Sequence, residues 1–194
     1  MKEKPYHHGN LQTELIEEGL ALIHEKGRGD FSLRKLSKRV GVSPTACYNH
    51  FANVDELLAE MKNYVTKKFC DALLEDIDES EMATAAIRMG KSYVNFFACN
   101  PHYFTFIYDN EEYRINLTEA AFEGDFAPFN IFKETAVKCM EHHHIDKKRY
   151  RDNLLVMWAT VHGLAAMANM RGFHYGGDWG LLTETLLDTK INLL

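Results

Sequence analysis

The sequence predicts an all-α protein, and three observations support that prediction. Apolar residues recur three or four positions apart along most of the 194-residue chain, which is the spacing of one face of a helix. No stretch shows the alternation of apolar and polar residues that is typical of a strand. Glycines, prolines and capping residues divide the chain into segments of helical length. We expect about nine helices, in a small domain over residues 1–60 and a larger helical domain over residues 61–194.

The composition suits a water-soluble protein with a substantial core. Hydrophobic residues form 46% of the chain and charged residues 26%. No apolar run approaches the roughly 18–20 residues that cross a bilayer, and the N-terminal segment MKEKPYHHGN lacks the apolar part of a secretion signal. The four cysteines stand singly, at positions 47, 70, 99 and 139, which favours free thiols over a disulfide framework. These features predict a cytoplasmic protein without a membrane partner.

The charge is divided unevenly along the chain. The net charge is −6, but residues 1–51 hold eight Lys and Arg against six Asp and Glu, whereas residues 52–194 hold fourteen against twenty-two. The N-terminal part can therefore approach a phosphate backbone, and the remainder would be repelled by it. The local charge, and not the net charge, determines whether a nucleic acid can bind here.

The first helix is expected from Leu11 to about Lys26, since its apolar residues fall on one face and Gly27 and Gly29 follow it. Residues 1–10 precede this helix as a polar arm. Such an arm either frays or lies along the groove or backbone of a nucleic acid, and the sequence leaves both alternatives open.

Two short helices around a tight turn, followed by a longer helix, are predicted next. Gly41 stands where the first short helix ends, because glycine reaches the left-handed conformation without steric cost. Ser43 and Pro44 mark the start of the second, as a capping hydroxyl and a proline at the first helical position. Asn53 and Glu56 offer a capping pair for the longer helix. This spacing is typical of a DNA-binding helix-turn-helix.

The rest of the chain is expected to be helical with short connections. The long helix that begins near Val54 is expected to reach about Asp78, which ties the first three helices to the larger domain. Further helices are expected at 81–99, 101–109, 118–143, 147–171 and 178–193, and the one at 118–143 is expected to break near Gly124 and Pro128.

Several short segments occur here in a characteristic combination. They are Phe31-Ser32-Leu33-Arg34, Leu36-Ser37, Arg39-Val40-Gly41-Val42-Ser43, Tyr48-Asn49-His50-Phe51 and Leu57-Leu58. This combination resembles the DNA-binding domain of the TetR family of bacterial transcriptional regulators. The segments from Tyr6 to Leu11 and from Trp158 to Gly163 resemble a subgroup whose C-terminal domain carries a Trp-x-x-x-His-Gly signature. The resemblance implies a homodimeric regulator that binds a double-stranded DNA operator and a small-molecule effector and that needs no cofactor.

The helix predicted from Pro44 to His50 is expected to enter the major groove, which admits one α-helix. Its exposed side chains are candidates for base edges, and the preceding helix offers cations and a helix N-terminus to phosphates. The predicted DNA-binding residues are Ser32, Arg34, Lys38, Ser43, Pro44, Thr45, Cys47, Tyr48, Asn49 and His50. An alternative stays open, in which Tyr48 and Phe51 belong to the core and the basic residues form a solvated face.

Two positions near this helix are unusual. Many members of the family carry a lysine just after the Tyr-x-His-Phe segment, where this chain has Val54, so the resemblance implies that one phosphate contact is missing. Two copies of the domain would then be needed for tight binding. Cys47 is expected either as a small apolar contact or as an oxidisable switch in the groove, and only its place near a helix N-terminus would activate its thiol.

Aromatic and sulfur-containing residues are concentrated in the middle of the chain. They form an ordinary core, or they leave an apolar cavity for a small molecule, and the family resemblance implies the cavity. The candidate pocket residues are Tyr93, Phe96, Phe97, Phe104, Tyr108, Phe129, Met157, Trp158 and His162.

Two apolar stripes near the C-terminus fit a four-helix interface between two subunits. The candidate interface residues are Leu154, Val161, Leu164, Ala165, Ala168, Leu182 and Leu186. The alternative is that both stripes are buried within one chain.

The consecutive residues His142, His143 and His144, followed by Asp146, suggest a metal site. Adjacent residues on a helix point about 100° apart, so three consecutive histidines cannot converge on one ion. We expect a polar helix end and no metal. No catalytic arrangement is recognisable, and we expect no enzyme. The sequence and its family resemblance predict a ligand-responsive regulator of the repressor type, which an effector releases from DNA. The alternative is a helical small-molecule-binding protein or enzyme with no role on DNA.

Overall fold

Nine α-helices form the part of the chain that the computed structural model describes, which comprises residues 11–75, 77–108, 115, 117 and 126–193. They are α1 (Leu11–Lys26), α2 (Leu33–Val40), α3 (Pro44–Tyr48), α4 (Val54–Glu75), α5 (Met82–Cys99), α6 (Pro101–Tyr108), α7 (Ala127–His142), α8 (Tyr150–Asn169) and α9 (Trp179–Leu193). These ranges contain no strand. The predicted all-α class and helix number are therefore confirmed for the described residues.

The helix-turn-helix has the predicted signals at Gly41 and Ser43 and a further cap at Ser32. The Ser32 hydroxyl accepts a hydrogen bond from the Lys35 amide at 3.3 Å, and the Ser43 hydroxyl accepts one from the Ala46 amide at 3.2 Å. Gly41 ends α2 with a φ of 84°, in the left-handed region that favours glycine. These caps fix where α2 ends and where α3 begins, and so fix the angle at which α3 is presented.

The start of α4 is also capped from both directions. The Asn53 side chain accepts a hydrogen bond from the Glu56 amide at 2.8 Å, and the Glu56 carboxylate accepts one from the Ala52 amide at 2.6 Å. The reciprocal bond thus goes to the residue before Asn53, one position earlier than in a standard capping box. Val54 is half-buried at the first helical position.

The N-terminal helices share one core. α1 packs against α2 and α4, and α2 packs against α3. Leu15, Leu20, Leu36 and Met61 are completely buried there. Gly19 permits this packing, since a Cβ at that position would lie 2.1 Å from the Met61 Cε atom. α4 contributes its first half to this core and its second half to the larger one.

Helix α5 is the centre of the larger core. It packs against α4, α7, α8 and α9. Gly90 lies where α9 approaches most closely, and a Cβ there would lie 2.3 Å from the Leu187 Cδ1 atom and 3.1 Å from the Val161 Cγ1 atom. A small residue at position 90 is therefore needed for α5 to contact α8 and α9 at this distance.

Some helix boundaries differ from the predicted ones. α3 ends at Tyr48 and not at His50, because the amides of His50 and Phe51 both donate to the Cys47 carbonyl in a tight turn that brings Phe51 into the core. Pro128 does not break α7 but lies in its first turn, where a proline is tolerated. The polar arm at 1–10 and the segment around Gly124 lie outside the described residues.

Candidate nucleic-acid interface, aromatic core and helix junction

Helix α3 presents a polar face to the outside. The side chains of Thr45, Tyr48, Asn49 and His50 are exposed, and Tyr48 keeps 56% of its surface accessible. This exposure excludes the alternative in which Tyr48 is a core residue. The hydroxyl, phenol, amide and imidazole groups can all form hydrogen bonds, and they lie on one helical turn and the tight turn that follows it.

Cys47 points the other way, which corrects the prediction that it reads base edges. Its side chain has no accessible surface, and it lies on the side of α3 that packs against α2. Burial also raises the pKa of the Cys47 thiol, so the group is protonated at neutral pH. Of the two alternatives for Cys47, the burial argues against both a contact in the groove and an oxidisable switch, because a buried thiol is inaccessible to oxidants.

The four basic residues of α2 differ in whether a carboxylate neutralises them. Arg39 is bound to two carboxylates of α1, with N–O distances of 2.6 to 2.8 Å, and Lys35 is paired with Asp30. Arg34 and Lys38 are exposed, and neither has an ion-pair partner within the described ranges. These two predicted phosphate-binding residues therefore have uncompensated charges, whereas Arg39 holds α2 on α1.

The predicted pocket residues come together in one aromatic cluster. Phe97 is completely buried, and its ring centroid lies 5.1 to 5.6 Å from those of Phe96, Tyr93, Phe104 and Tyr108. The cluster continues through Trp158, which contacts Tyr93 at 5.3 Å, Phe129 at 4.9 Å and His162 at 6.3 Å. Met157 is buried beside them at 3% exposure. The rings are in mutual contact, so an effector that binds among them must displace side chains.

A polar group lies inside this cluster. The Tyr93 hydroxyl lies 2.6 Å from the Tyr108 hydroxyl and 3.1 Å from the His162 Nδ1 atom. Burial lowers the pKa of His162, so the imidazole is neutral at pH 7, and burial raises the pKa of Tyr93. The cluster is thus aromatic and uncharged, and it contains three hydrogen-bonding groups in contact.

A second polar cluster joins α1 to the larger domain, and we call it the Glu17 junction. The Glu17 carboxylate of α1 accepts hydrogen bonds from Tyr64 and Lys68 of α4 and from Tyr103 of α6, at 2.9 Å for Lys68 and 2.6 Å for Tyr103. Burial alone raises the pKa of Glu17, but the hydrogen bonds from Tyr103, Tyr64 and Lys68 outweigh it and lower the net pKa.

Sequence reasoning missed the Glu17 junction. Its members are separated by 47 residues between Glu17 and Tyr64 and by 86 residues between Glu17 and Tyr103. No local spacing connects such distant residues. The sequence around Glu17 gives no signal either, because the residues one turn away on the same side of α1 are Thr13 and Glu14 as well as Leu20 and Ala21.

The predicted dimer interface needs a correction. Leu154, Val161, Leu164 and Ala165 are at most 8% exposed within a single chain. They pack into the core around α5, so for these four residues the alternative of burial within one chain is right. Ala168, Leu182 and Leu186 are half-buried. The apolar stripe read from the sequence was the inner face of α8.

The outer face of α8 is also apolar. Leu155 is 52% exposed and Met167 41%, Met170 just after the end of α8 is 58% exposed, and Leu181 on α9 is 62% exposed. Ala159, Gly163 and Ala166 lie between these positions at helical spacing. Large exposed apolar residues around small ones form a face on which another helix can pack closely.

The described ranges contain no group of three or more His, Cys, Asp or Glu side chains placed to hold a metal ion. The His143 Nε2 atom lies 2.9 Å from the Ala83 carbonyl oxygen. None of the helices in these ranges combines the length and the apolar character needed to cross a bilayer. All four cysteines are free thiols.

A helix-turn-helix on a small domain, followed by a larger helical domain with an aromatic core, defines a class of bacterial regulators. Residues 15–61 match the family of bacterial regulatory proteins named after tetR, and residues 86–190 match the tetracyclin repressor-like C-terminal domain. The second match alone covers more than half of the chain. The chain therefore belongs to the TetR family, as its sequence segments suggested.

Individual relatives are similar at a lower level. An uncharacterised HTH-type transcriptional regulator of Bacillus subtilis (strain 168), YobS, is 26% identical over 96 residues, and the match spans 50% of this chain and 50% of YobS. A solved protein of unknown function from Rhodococcus sp. RHA1 has a TM-score of 0.74 at 23% identity, with 99% of both chains covered. The regulator FadR from Bacillus subtilis, solved with stearoyl-CoA, has a TM-score of 0.69 at 16% identity, over 91% of this chain and 95% of FadR. At these identities the two structures share the fold.

Proposed function

We propose that this protein is a dimeric repressor that binds a pseudo-palindromic operator through α3 and that leaves it when a small apolar or aromatic effector binds. The observation that carries the proposal is the exposed face of α3, where Thr45, Tyr48 and Asn49 stand next to the uncompensated Arg34 and Lys38. Base edges in the major groove accept hydrogen bonds from such side chains, and phosphates attract the two cations.

Within this proposal the residues have separate roles. Asn49 can bond the N6 and N7 positions of adenine, and Thr45 can place its methyl group against thymine. Tyr48 and His50 bind neighbouring phosphates, and Arg34 and Lys38 hold the backbone from α2. Ser32 and Ser43 cap the N-termini of α2 and α3, and the positive ends of these two helices favour phosphate at the start of α2 and beside Pro44.

The domain boundary belongs to the same proposal. Residues 1–60 form the DNA-binding domain and residues 61–194 form the effector and dimer domain, and α4 crosses from one to the other. The aromatic cluster contacts α4 through Phe69, which stacks on Phe96 at 5.1 Å. An effector that displaces these rings would therefore act on α4 directly, and its differential affinity for the two positions of α4 sets how far DNA affinity falls.

The dimer interface of the proposal is the outer face of α8 with α9. A two-fold dimer through this face brings two α3 helices to two half-sites of one operator. The resemblance to the family supports the arrangement, and the exposed residues Leu155, Met167, Met170 and Leu181 supply its apolar area. Ala168, Leu182 and Leu186 remain candidates at its edge.

The experiment is a selection of bound duplexes from a random DNA pool, followed by binding isotherms on the enriched duplex. The proposal predicts that Asn49→Ala weakens binding by roughly tenfold or more, since one bidentate base contact contributes about 1–3 kcal/mol. The matched control is Asn63→Ala, which removes an exposed amide from α4, away from α3. Enrichment of no sequence, or equal affinity of the two variants, would contradict the proposal.

A further inference from the structure

The loop between α8 and α9, residues 170–178, exposes aromatic side chains. Phe173 is 44% exposed and Tyr175 40%, and the exposed Met170 stands at the start of the loop. Seven of the ten large apolar residues that are exposed in the described ranges lie on α8, on α9 or in this loop. The loop therefore continues the apolar outer face of α8 beyond the end of the helix, and its two rings form a surface that a partner can cover.

The backbone of the 170–178 loop is held by local contacts at both ends. The Phe173 amide donates to the Met170 carbonyl at 3.2 Å, and Gly172 between them has a φ of 93°, in the left-handed region that favours glycine. At the other end the Asp178 side chain accepts a hydrogen bond from the Leu181 amide at 2.7 Å and so caps α9. The loop thus has a defined course from one helix to the next.

Trp179, the first residue of α9, holds the two exposed rings in place. Its side chain packs against the core, and its ring centroid lies 4.7 Å from that of Tyr175 and 6.1 Å from that of Phe173. Gly177 leaves room for the phenol, since a Cβ at that position would lie 2.5 Å from the Tyr175 Oη atom. The rings are therefore positioned in the single chain, and little side-chain entropy is lost when a partner covers them.

The 170–178 loop lies at the end of the molecule that carries the DNA-binding domain. Ala168, Met170 and Arg171, at the end of α8, line the same groove as His24 of α1 and Thr105 of α6. In the proposed dimer both α3 helices bind one duplex, so both DNA-binding domains lie at the same end and the two-fold axis passes through that end. Because the outer faces of the two α8 helices meet along this axis, both loops lie beside it.

We propose that the 170–178 loop forms an interface with the same loop of a second copy of this chain. Phe173 and Tyr175 of each copy pack against the rings of the other copy across the two-fold axis, and the exposed Arg171 and His174 stand at the polar rim. The inference rests on the proposed dimer, and it extends the interface from α8 to the end of the molecule next to the DNA-binding domains. Aromatic side chains at the centre with polar side chains at the edge are typical of protein interfaces.

Continuity with the outer face of α8 favours a second copy over a different partner. Met167 and Met170 join that face to the loop without an intervening polar surface. By two-fold symmetry, a surface that lies beside the axis faces the same surface of the other copy. Each exposed ring therefore has another ring as its neighbour in the dimer.

Hydroxyl-radical footprinting of the full chain tests the contact without any substitution. Samples are oxidised above and below the dimer dissociation constant, which sedimentation equilibrium provides, and mass spectrometry measures the oxidation rate of each side chain. We expect Phe173 and Tyr175 to be oxidised about threefold more slowly, or less, in the dimer, because the centre of an interface excludes water. Leu74, which is 50% exposed on α4, is the internal control and should react equally in both samples.

Substitution gives a second measurement. Phe173→Ser is expected to raise the dimer dissociation constant about tenfold or more, because the two-fold symmetry removes an aromatic interface side chain twice. Leu74→Ser is the matched control, since it removes a similarly exposed apolar side chain from α4, and it should leave the dissociation constant unchanged. Thermal unfolding checks that both variants are folded.

The results separate this inference from the proposed function. A dimer in which Phe173 and Tyr175 are oxidised at the rate of the monomer would overturn the inference alone and would leave the loop as a surface for a different partner. Equal dissociation constants for Phe173→Ser and Leu74→Ser would overturn it as well. A chain that is monomeric at every concentration would overturn both the inference and the proposed dimer, whereas binding of α3 to DNA is measured separately by the selection of duplexes.

Discussion

At the scale of single residues, burial separates groups that the sequence places side by side. Cys47 and Tyr48 are neighbours on a five-residue helix, yet the thiol has no accessible surface and the phenol is more than half exposed. The difference arises because successive helical residues point about 100° apart, so that Cys47 faces α2 and Tyr48 faces the solvent. Periodicity could not decide which, since α3 is too short to show a repeat.

The burial of Cys47 leads to a prediction about thiol reactivity. In the folded protein, Ellman's reagent should react with the exposed Cys99 within minutes and with Cys47 only at the rate of unfolding, because Cys47 is inaccessible and burial raises the pKa of its thiol. Mass spectrometry of quenched samples identifies the modified residue. Reaction of Cys47 at the rate of Cys99 under native conditions would show that α3 does not pack as described.

At the scale of helices, the Glu17 junction holds α1, α4 and α6 together. Its carboxylate receives three hydrogen bonds, and a parallel bond between His24 and Thr105, at 2.9 Å, joins the end of α1 to α6. Replacing Glu17 by Gln should lower the free energy of unfolding by about 1–2 kcal/mol, less than for a fully buried charge, since the group is about one-third exposed. Urea denaturation followed by circular dichroism measures this loss.

The junction also makes a prediction about pH. The pKa of Glu17 is lower in the folded protein than in the unfolded chain, so its stabilising effect is fully present above the unfolded pKa of about 4.3 and is lost as the pH falls through the lower folded value. The stability difference between the native protein and Glu17→Gln should therefore be constant between pH 6 and 8 and should shrink below about pH 4. A difference independent of pH down to pH 3 would mean that the hydrogen bonds do not depend on the charge.

At the scale of the whole molecule, α8 has two apolar faces, one for its own core and one for a partner. Replacing the outer Leu155 by Glu should weaken the dimer about 30-fold or more, since a buried unpaired charge at an interface costs 2 kcal/mol or more. Leu74→Glu is the matched control, because Leu74 is 50% exposed and Leu155 is 52% exposed. Sedimentation equilibrium reports the masses. Dimers that persist equally in both variants would place the interface elsewhere.

The sequence was informative wherever a local rule applied. The caps at Gly41 and Ser43 and the start of α4 at Val54 were predictable, because each depends on residues within four positions. The inner and outer faces of α8 were not distinguishable, since both are apolar and only the position of α5 decides which is buried. The Glu17 junction depends on residues far apart in the chain, and its assembly is known only from the fold.

Two copies of α3, held by one dimer, are proposed to read two half-sites of an operator. The most direct test measures affinity for the selected duplex and for versions with about 5 or about 10 base pairs inserted between the half-sites, that is, half a helical turn or a full turn. A large loss of affinity is expected with the half-turn insertion, because the second half-site then faces away from the second α3. Equal affinity for the original and the half-turn duplex would contradict the proposed dimeric reading.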